Sequence, residues 1–533
     1  MSSELLSSEI LKAVTNYVAD LKKSVTLVLQ TGTHEKREEL VDFLSAIAAT
    51  SPSLDLEQRD TQGSLRSPIS FTLEADGEAT GIIFSGIPSG HEFNSLILAI
   101  LQSGAASDLK LDASIIETVR SVTQPLRFEV FISLSCHNCP DVVQTLNKFA
   151  LLNEKISTEM IDGGLFQGII KEREIQGVPS IFMNGELFMN GKVDTASIID
   201  KLRPMAITTD TAFERSTPEQ DVVVIGGGPA AISAAIYSAR KGLSVTVIAE
   251  TLGGQVKDTM DIENLISVPA TTGTKLTGNL HAHLREYDIT LREHLSVTDI
   301  EQGEPKRLRL SSGELLQARA VIIATGANWK ELGIPGEKEN IGNGVAFCPH
   351  CDGPFFKGKD IAVVGGGNSG MEAALDLSGI AKSVTVLEFL PTLKADQILV
   401  DRALDKPNIA IITNAACKRI STDRGKVSAV EYTDRTTDAE HSVAIAGVFV
   451  QIGLEPNSEF LNDLVELSDY GEIIINEHGE TSQPGIFACG DVTTVPYKQI
   501  VIAMGEGAKT SLAASDYLMR HSVPASQGAA AGS

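Results

Sequence analysis

The alternation of hydrophobic and polar positions over the first 203 residues follows one order of elements twice. The second copy, at 123–203, is clearer and combines period-two strands with period-3.6 helices. Its predicted elements are a strand at 126–134, a helix opening within the stretch at 135–152 with Pro140 in its first turn, a strand and turn at 156–164, a hairpin at 178–193 turning at Asn184-Gly185, and a helix at 194–202. A strand, a CxxC motif at a helix start, a second strand, an X-Pro bond and a hairpin are the order of a thioredoxin-like unit.

The first copy, at 1–122, repeats this order and contains no cysteine. Its predicted elements are a strand at 25–32, a helix at 34–49, a hairpin at 67–86 and a helix at 91–104. Pro68 stands where the second copy has Pro179. We therefore predict a degenerate thioredoxin-like unit that has lost the chemistry of the second copy.

A polar, threonine-rich stretch at 204–220 separates the two copies from the rest of the chain and has no apolar period. Such a composition is typical of a flexible linker. The last residues, 522–533, are mostly small and are predicted to form a disordered tail.

After the linker, the pattern changes to a buried strand, a glycine-rich turn, a helix and a second strand at 221–250. Gly226, Gly228 and Ala231 form a GxGxxA motif, and Glu250 ends the second strand. In this dinucleotide-binding fingerprint, the glycines let the backbone turn tightly and approach a pyrophosphate, which binds at the helix N-terminus. The acidic residue binds a ribose hydroxyl. The complete pattern predicts a Rossmann-type domain.

The fingerprint recurs at 359–389, with Gly365, Gly367 and Gly370 in the turn and Glu388 at the end of the next strand. Two such folds in one chain imply two dinucleotides. A carboxylate at the position of Glu388 bonds the ribose 2′-hydroxyl of NAD and repels the 2′-phosphate of NADP. No arginine pair follows it. We therefore predict NADH rather than NADPH.

Two further strand ends mark the first fold as a flavin site. One strand ends in a turn of small residues that includes Thr325 and Gly326, and the other ends in Gly490 and Asp491. Asp491 is well placed to hold a ribityl hydroxyl. An N-cap of the following helix is an ordinary use of an aspartate at this place, and the two roles are compatible.

The second fingerprint lies between these two strand ends, so the flavin domain is predicted to be discontinuous. We expect an FAD domain at 221–334 and 453–521, with an NAD domain at 335–452 inserted into it. The predicted fold class is α/β. It comprises two tandem thioredoxin-like units followed by two Rossmann-type dinucleotide-binding domains, the three-layer architecture of an FAD/NAD-linked reductase.

Composition narrows the classes of partner. The formal net charge of −25 disfavours nucleic acid and anionic membranes, since both select for basic surfaces. The uncharged stretch at 222–239 is long enough to suggest a membrane span, but three glycines and Pro229 interrupt it. The N-terminus has no basic region before an apolar stretch, and six cysteines are too few for a secreted disulfide framework. We expect a cytoplasmic protein.

Four of the cysteines form two CxxC pairs, Cys136/Cys139 and Cys348/Cys351, and Asp352 follows the second pair. Such pairs bind zinc together, lie buried as passive pairs, or carry electrons. The pairs of a zinc ribbon are usually about 15–20 residues apart. Here most of a domain and the linker lie between them, which disfavours a shared zinc ion.

The redox interpretation has a mechanism. A helix N-terminus favours the thiolate, which is the nucleophile in disulfide exchange. Cys136, the first of its pair, is expected to be the more exposed and to attack, and Cys139 to resolve. His137 either tunes this pair or is a surface histidine without a role.

From 221 to about 520 the chain resembles the low-molecular-weight thioredoxin reductase class of flavoproteins. The matching stretches, in the same order, are GGGPAAISAAIYSAR, LGGQV, IENLI, ATGA, CPHCDGPFFKGK, VVGGGNSGMEAA, GIFACGDV and KQIVIAMGEG. That class lacks an N-terminal thioredoxin-like pair. With residues 1–203 included, the chain is similar to the flavoprotein subunits of bacterial alkyl hydroperoxide reductases.

The resemblance implies that Cys351 lies against the flavin, that Cys348 is the interchange thiol and that Asp352 handles the thiol proton. A turn residue is the structural alternative for Asp352. The cofactor-binding residues predicted from the motifs and the resemblance are, for FAD, Gly226, Gly228, Pro229, Ala230, Glu250, Gly254, Gln255, Asn264, Thr325, Gly326, Gly490, Asp491 and Gln499, and, for NAD, Gly365, Gly367, Asn368, Ser369, Gly370 and Glu388. No metal site is expected.

The implied electron path runs from NADH to FAD, then to Cys351–Cys348, to Cys136–Cys139 and to the disulfide of a peroxiredoxin. It supports the reduction of hydrogen peroxide and alkyl hydroperoxides. One dithiol cannot contact the flavin, the nicotinamide domain and the thioredoxin-like arm (residues 1–203) at once. We therefore expect the NAD domain to rotate relative to the FAD domain, and the linker to let the arm approach the second CxxC pair. The family also implies a homodimer. The alternatives are a disulfide reductase for another partner such as thioredoxin, an NADH oxidase that forms hydrogen peroxide, and a nucleotide-binding redox sensor without turnover.

Overall fold

The computed structural model describes residues 5–521 with short internal gaps. The residues outside the description are 1–4, 135, 137–138, 174, 176–177, 191–192, 206–217, 260–261, 342, 424–425, 462 and 522–533, together with the side chains of Asp258, His350 and Cys351. The predicted tail, most of the predicted linker and His137 therefore lie outside the described residues.

The chain divides into two compact units. The first contains residues 1–215 with 293–296 and 311–314, and the second contains 216–292, 297–310 and 315–533. The elements up to Leu202 are the helices α1 (Ser8–Val18), α2 (Arg37–Ala48), α3 (Phe93–Ser103), α4 (Ala113–Arg120), α5 (Cys139–Leu152), α6 (Gln167–Glu172) and α7 (Thr195–Leu202), and the strands β1 (Val25–Gln30), β2 (Leu54–Arg59), β3 (Ser70–Ala75), β4 (Glu78–Ser85), β5 (Leu126–Ile132), β6 (Ile156–Asp162), β7 (Ser180–Met183) and β8 (Glu186–Asn190).

The first unit is built on one eight-stranded sheet with the order β2-β1-β3-β4-β6-β5-β7-β8. Each half of the sheet carries one predicted copy, and the parallel pair β4–β6 joins the halves, with Ile82 beside Thr158. The two thioredoxin-like units are confirmed, but their fusion into one sheet was not predicted. The predicted hairpin turn is also present, since Asn184 and Gly185 have φ values of 52° and 88°.

Four elements of this unit, α1, β2, α4 and α6, were missed in the sequence. β2 is a strand at the sheet edge, and only Leu54 of its six residues is buried. An edge strand with mostly polar side chains does not show the alternation on which a strand prediction depends.

The elements from Gln220 onward belong to the dinucleotide-binding part of the chain. They are the helices α8 (Pro229–Arg240), α9 (Gly273–Arg285), α10 (Pro349–Asp352), α11 (Asn368–Ser378), α12 (Gln397–Leu404) and α13 (Ile500–Arg520), and the strands β9 (Gln220–Ile225), β10 (Val245–Ala249), β11 (Ile289–Glu293), β12 (Val297–Glu301), β13 (Lys306–Leu310), β14 (Leu315–Ile323), β15 (Ala327–Trp329), β16 (Val345–Ala346), β17 (Asp360–Val364), β18 (Ser383–Leu387), β19 (Ile409–Ile412), β20 (Ala415–Asp423), β21 (Lys426–Asp434), β22 (Glu440–Ala444), β23 (Gly447–Val450), β24 (Leu454–Pro456) and β25 (Ile486–Ala488).

The first sheet of this part has the order β11-β10-β9-β14-β13-β12, with β25 added on β14. β14 pairs in parallel with both β9 and β25, so Ile323 lies between Ile225 and Ala488. The sheet is thus assembled from strands on both sides of the second fingerprint in sequence. Helix α13 packs closely on α8. The approach requires a glycine at 507, since a Cβ there would lie 2.2 Å from the carbonyl oxygen of Ala230.

The inserted region forms a five-stranded parallel sheet with the order β16-β23-β17-β18-β19 and an antiparallel sheet of β20, β21 and β22. The antiparallel pair β15–β24 lies at the two sequence ends of this region, with Ala327 opposite Pro456. The uncharged stretch at 222–239 divides between β9, the glycine turn and α8. Within the described chain, no helix has both the length and the apolar character needed to span a bilayer.

Candidate active site

The first glycine turn joins β9 to α8. Gly226 has φ of 125°, and a Cβ there would lie 2.2 Å from the carbonyl oxygen of Ala324, so the fold itself requires glycine. Gly228, at the start of α8, has an ordinary φ of −79°. A Cβ on Gly228 would meet no described atom within 4 Å. The space in front of Gly228 therefore fits a pyrophosphate at the helix N-terminus.

The second glycine turn, between β17 and α11, repeats this arrangement. A Cβ on Gly365 would lie 2.3 Å from the Gln451 carbonyl oxygen, and one on Gly370 would lie 1.9 Å from the Gly365 carbonyl oxygen. Gly367 has φ of −82°, and a Cβ there would again meet nothing in the described structure within 4 Å. Both turns thus fit a dinucleotide, one through Gly228 and one through Gly367.

The two acidic residues of the fingerprints differ in environment. Glu250 directly follows β10 and is exposed. Glu388 directly follows β18 and is only 8% exposed. Its carboxylate accepts hydrogen bonds from the backbone N–H groups of Gly366, at 2.5 Å, and Leu390, at 2.8 Å. Each carboxylate oxygen retains a lone pair for a ribose hydroxyl.

Several other predicted FAD residues lie around the start of α8. A Cβ on Gly254 would lie 3.2 Å from the Cα of Gly228, and one on Gly490 would lie 2.9 Å from the Cβ of Ala230. Asp491 follows Gly490, and burial raises the pKa of its carboxyl group against the opposing charge of Lys498.

Thr325 and Gly326 form the turn after β14. The Thr325 hydroxyl donates to the Asn457 carbonyl oxygen at 2.7 Å, and the Asn457 side-chain amide donates back to the Thr325 carbonyl oxygen at 2.9 Å. Gly326 has φ of 73°, which favours glycine. Asn457 therefore ties this turn to the chain that returns after β24, a role the sequence did not reveal.

A chain of side chains connects predicted flavin contacts with the second CxxC motif. The Asn264 amide donates to Gln499 Oε1 at 3.2 Å, and Gln499 Nε2 lies 3.8 Å from Cys348 Sγ. Cys348 is disulfide-bonded and half-buried. The Gln499 side chain thus links Asn264 and Cys348, which are far apart in sequence.

The second CxxC motif lies at the start of α10, where the Asp352 N–H donates to the Cys348 carbonyl oxygen at 3.0 Å. The Asp352 side chain is half-buried. The side chain of Cys351 lies outside the described residues, so the structure places the predicted interchange sulfur but not the sulfur predicted to face the flavin.

Aromatic packing supports this segment from the other side. Trp329, on β15, stacks on Phe347 with ring centroids 6.2 Å apart and planes at 20°. The Gln451 side-chain amide donates to the Phe347 carbonyl oxygen at 2.6 Å. The residue immediately before Cys348 is therefore held through both its ring and its backbone. Neither contact follows from a sequence motif.

Cys136 and Cys139 form a disulfide in the first unit. Cys139 is fully buried at the start of α5, whereas Cys136 is partly exposed. The Cys139 N–H donates to Cys136 Sγ at 3.2 Å, and the same sulfur lies 3.9 Å from the carbonyl oxygen of Val178, which precedes the cis-proline Pro179. A backbone N–H directed at sulfur favours a thiolate at Cys136 once the disulfide is reduced.

The first copy has a cation where the second has its disulfide. The same number of residues separates β1 from α2 as separates β5 from α5, so Arg37 occupies the helix start that corresponds to Cys139. Its guanidinium donates to the carbonyl oxygens of Gln30 and Pro68 and, at 2.9 Å, to Gln58 Oε1. The equal spacing appears only with the element bounds of the folded chain, since the strand and helix bounds predicted from the sequence do not show it.

The two cysteines outside the CxxC motifs are poor nucleophiles. Burial raises the pKa of both the Cys417 and the Cys489 thiol to about 12, so both stay protonated at neutral pH. Thiol chemistry is therefore left to the paired cysteines.

Several known proteins are similar to this chain in sequence or in structure. Residues 220–507 match the family described as pyridine nucleotide-disulphide oxidoreductase, and residues 126–203 match a thioredoxin domain family. The F subunit of the alkyl hydroperoxide reductase of Pseudomonas aeruginosa is 48% identical over 95% of this chain and 98% of its own length. A Bacillus subtilis protein named NADH dehydrogenase is 44% identical over 97% of this chain and 100% of its own.

Among solved structures, the thioredoxin reductase from Streptococcus pyogenes is 37% identical, with a TM-score of 0.55, over 57% of this chain and 100% of its own. The chain therefore belongs to the pyridine nucleotide-disulphide oxidoreductase family, as an FAD- and pyridine nucleotide-dependent oxidoreductase, and its full-length relatives include the F subunits of alkyl hydroperoxide reductases.

Proposed function

We propose that this enzyme is an NADH-dependent disulfide reductase whose partner is a peroxiredoxin, and that it supports the reduction of hydrogen peroxide and alkyl hydroperoxides. The observation that carries the proposal is the contact of Cys348 with Gln499, which also binds Asn264. It supports a dithiol at the flavin site. When bound, FAD accepts the hydride of NADH and delivers two electrons to a disulfide.

Different residues of the protein bind the nucleotides and transfer the protons. Gly228 and Gly367 leave room for the two pyrophosphates, and Glu388 accepts from the ribose of NADH. Reduction of the Cys348–Cys351 disulfide takes up two electrons and two protons and gives two thiols. Asp352 transfers one of these protons, and loss of the Cys348 proton gives the nucleophile.

Two exchanges then move the electrons outward. The Cys348 thiolate attacks Cys136, the more exposed sulfur of its pair, and Cys351 resolves the mixed disulfide, which leaves Cys136 and Cys139 reduced. Cys136 next attacks the disulfide of the partner, and Cys139 resolves that intermediate. The peroxiredoxin leaves with two thiols, and the enzyme regains both disulfides.

The assignment is tested by following NADH consumption at fixed hydroperoxide, with and without a peroxiredoxin from the same cell. We expect the peroxiredoxin to accelerate NADH oxidation strongly, with one NADH consumed per hydroperoxide reduced. Cys417→Ser, which removes a thiol outside both pairs, should behave as the wild-type enzyme. An enzyme that responds to free thioredoxin but not to the peroxiredoxin would contradict the proposal.

Direct NADH oxidation by oxygen is a second candidate; the name of the relative from Bacillus subtilis, NADH dehydrogenase, supports NADH as the electron donor but names no acceptor. This activity would not require the cysteine pairs. A variant with Ser at Cys136, Cys139, Cys348 and Cys351 would then keep its full rate of NADH oxidation and form hydrogen peroxide. Under the main proposal, this variant loses all peroxiredoxin-dependent turnover.

We also propose that the enzyme acts in the cytoplasm as a homodimer. The small number of cysteines, six in 533 residues, supports the location, and the family resemblance supports the dimer. Light scattering of the purified holoenzyme distinguishes a dimer from a monomer.

A further inference from the structure

The loop at 388–396, which follows β18, is fixed at both of its ends. At its start, Glu388 donates its N–H to the Ile412 carbonyl oxygen at 2.9 Å, and the Glu388 carbonyl oxygen accepts from Ala415 at 2.8 Å. The Glu388 carboxylate binds the N–H groups of Gly366 and Leu390. Main-chain and side-chain bonds together thus set the direction of the carboxylate.

At its far end, the loop is tied to the second glycine turn. The Lys394 and Ala395 N–H groups both donate to the Gly366 carbonyl oxygen, at 2.9 and 3.2 Å. The Asn368 amide donates to Asp396 at 3.1 Å, and the Asp396 N–H donates back to Asn368 at 2.7 Å. Four hydrogen bonds therefore link the far end of the loop to the glycine turn.

Arg435, in the turn between β21 and β22, holds the residue next to Glu388. Its guanidinium donates to the Phe389 carbonyl oxygen at 2.8 Å and lies 3.9 Å from the centre of the Phe389 ring, which is 53% exposed. The Arg435 N–H donates to the Asn414 carbonyl oxygen at 2.8 Å, and the Asn414 N–H donates to the Leu390 carbonyl oxygen at 3.0 Å.

An arginine over an exposed aromatic ring is often only surface packing. Here the same guanidinium also bonds the backbone of the residue that follows Glu388. Since other hydrogen bonds fix both ends of the loop, Arg435 restrains the part of the loop next to Glu388, through Phe389. A cation already engaged in this way is also poorly placed to neutralise a 2′-phosphate.

We propose that Arg435 is a positioning residue for nucleotide selection. By binding the Phe389 ring and carbonyl oxygen, it holds the Glu388 carboxylate toward the ribose 2′-hydroxyl and prevents the retreat of the loop that a 2′-phosphate requires. The inference rests on the proposed function, in which the second glycine turn binds NADH.

The test uses the FAD-loaded enzyme and the variant Arg435→Met, which keeps an unbranched side chain but loses the cation and its hydrogen bond. Calorimetric titration measures the Kd for NAD+ and NADP+, and steady-state kinetics measure KM and kcat for NADH and NADPH. We expect the Kd for NAD+ and the KM for NADH to rise about tenfold, the scale of one lost hydrogen bond to a charged group, with kcat unchanged. Binding of NADP+ should stay the same or tighten, so the preference for NAD+ falls.

Arg435→Lys, which retains the charge, should restore part of the preference. Arg419→Met is the matched control, since Arg419 is exposed on β20 of the same small sheet and should leave both nucleotides unaffected. If Arg435→Met weakens NAD+ and NADP+ equally, or matches the control, the positioning role is overturned. If the wild-type enzyme itself shows no preference for NADH, the proposed function fails instead, which separates the two outcomes.

Discussion

Glu92 is the residue at which burial and charge conflict most clearly. Its side chain is fully buried at the start of α3. Burial raises the pKa of the carboxyl group from 4.5 to about 7; the Asp141 charge acts in the same direction, and the Ser95 hydroxyl opposes it. The native unit thus keeps this acid protonated where the unfolded chain has already released the proton.

This difference predicts a pH-dependent stability. Between pH 4.5 and about 7 the native state binds more protons than the unfolded state, so the free energy of unfolding falls as pH rises, by about 3 kcal/mol at most. In the Glu92→Gln variant, the free energy of unfolding should not fall in this way. The variant should therefore become more stable relative to the wild type as the pH rises from 4.5 to about 7. Denaturant unfolding of the first unit at pH 5, 6, 7 and 8 measures the effect.

The exposed Glu78, at the start of β4, supplies the control, since Glu78→Gln should show no such trend. A Glu92→Gln variant that is destabilised equally at every pH would contradict this role of burial.

Sequence identifies some residues of the site and not others for a physical reason. Cys348 and Gln499 lie in motifs whose chemistry is local. Arg435 acts on Phe389, 46 residues away, and Arg37 acts on Pro68, 31 residues away. Both arginines are ordinary polar positions in the sequence, and only the folded chain shows what they bind.

At the scale of elements, each glycine turn combines at least one glycine that the fold needs with one that leaves space. Gly226 and Gly365 would each place a Cβ against a backbone carbonyl, whereas Gly228 and Gly367 face open space with ordinary backbone angles. Alanine at the latter two positions should fold normally and fill the room for a pyrophosphate.

The two turns should therefore separate the two cofactors. Gly228→Ala is expected to weaken FAD binding about tenfold or more, seen as loss of flavin absorbance after dialysis. Gly367→Ala should retain the flavin spectrum and raise the KM for NADH by a similar factor, about tenfold. Gly278→Ala, on α9 where a Cβ also meets no described atom, should change neither property. Flavin loss in Gly367→Ala with normal FAD in Gly228→Ala would reverse the assignment.

Local sequence patterns predicted individual elements but not the pairing of strands that are distant in sequence. The strand–turn–helix units around both fingerprints were predicted because their signal is local. The pairing of β14 with β25 and of β4 with β6 joins segments distant in sequence. The order of motifs predicted that segments on both sides of the insertion belong to one FAD domain, but it did not predict which strands pair. No pattern predicted that the two thioredoxin-like units share one sheet.

At the scale of the whole molecule, disulfide-bonded cysteines lie in both compact units. Cys136–Cys139 belongs to the first and Cys348 to the second. The proposed relay therefore requires a thiol of one unit to reach the disulfide of the other during turnover. Rotation of the NAD domain and visits by the thioredoxin-like arm remain predictions of this relay.

The most direct measurement is stopped-flow and steady-state analysis of Cys136→Ser beside Cys417→Ser. Because flavin reduction precedes the outer dithiol, Cys136→Ser should show flavin reduction by NADH at the wild-type rate and no reduction of the peroxiredoxin disulfide. Cys417→Ser should retain both steps. Normal peroxiredoxin turnover in Cys136→Ser would contradict the relay.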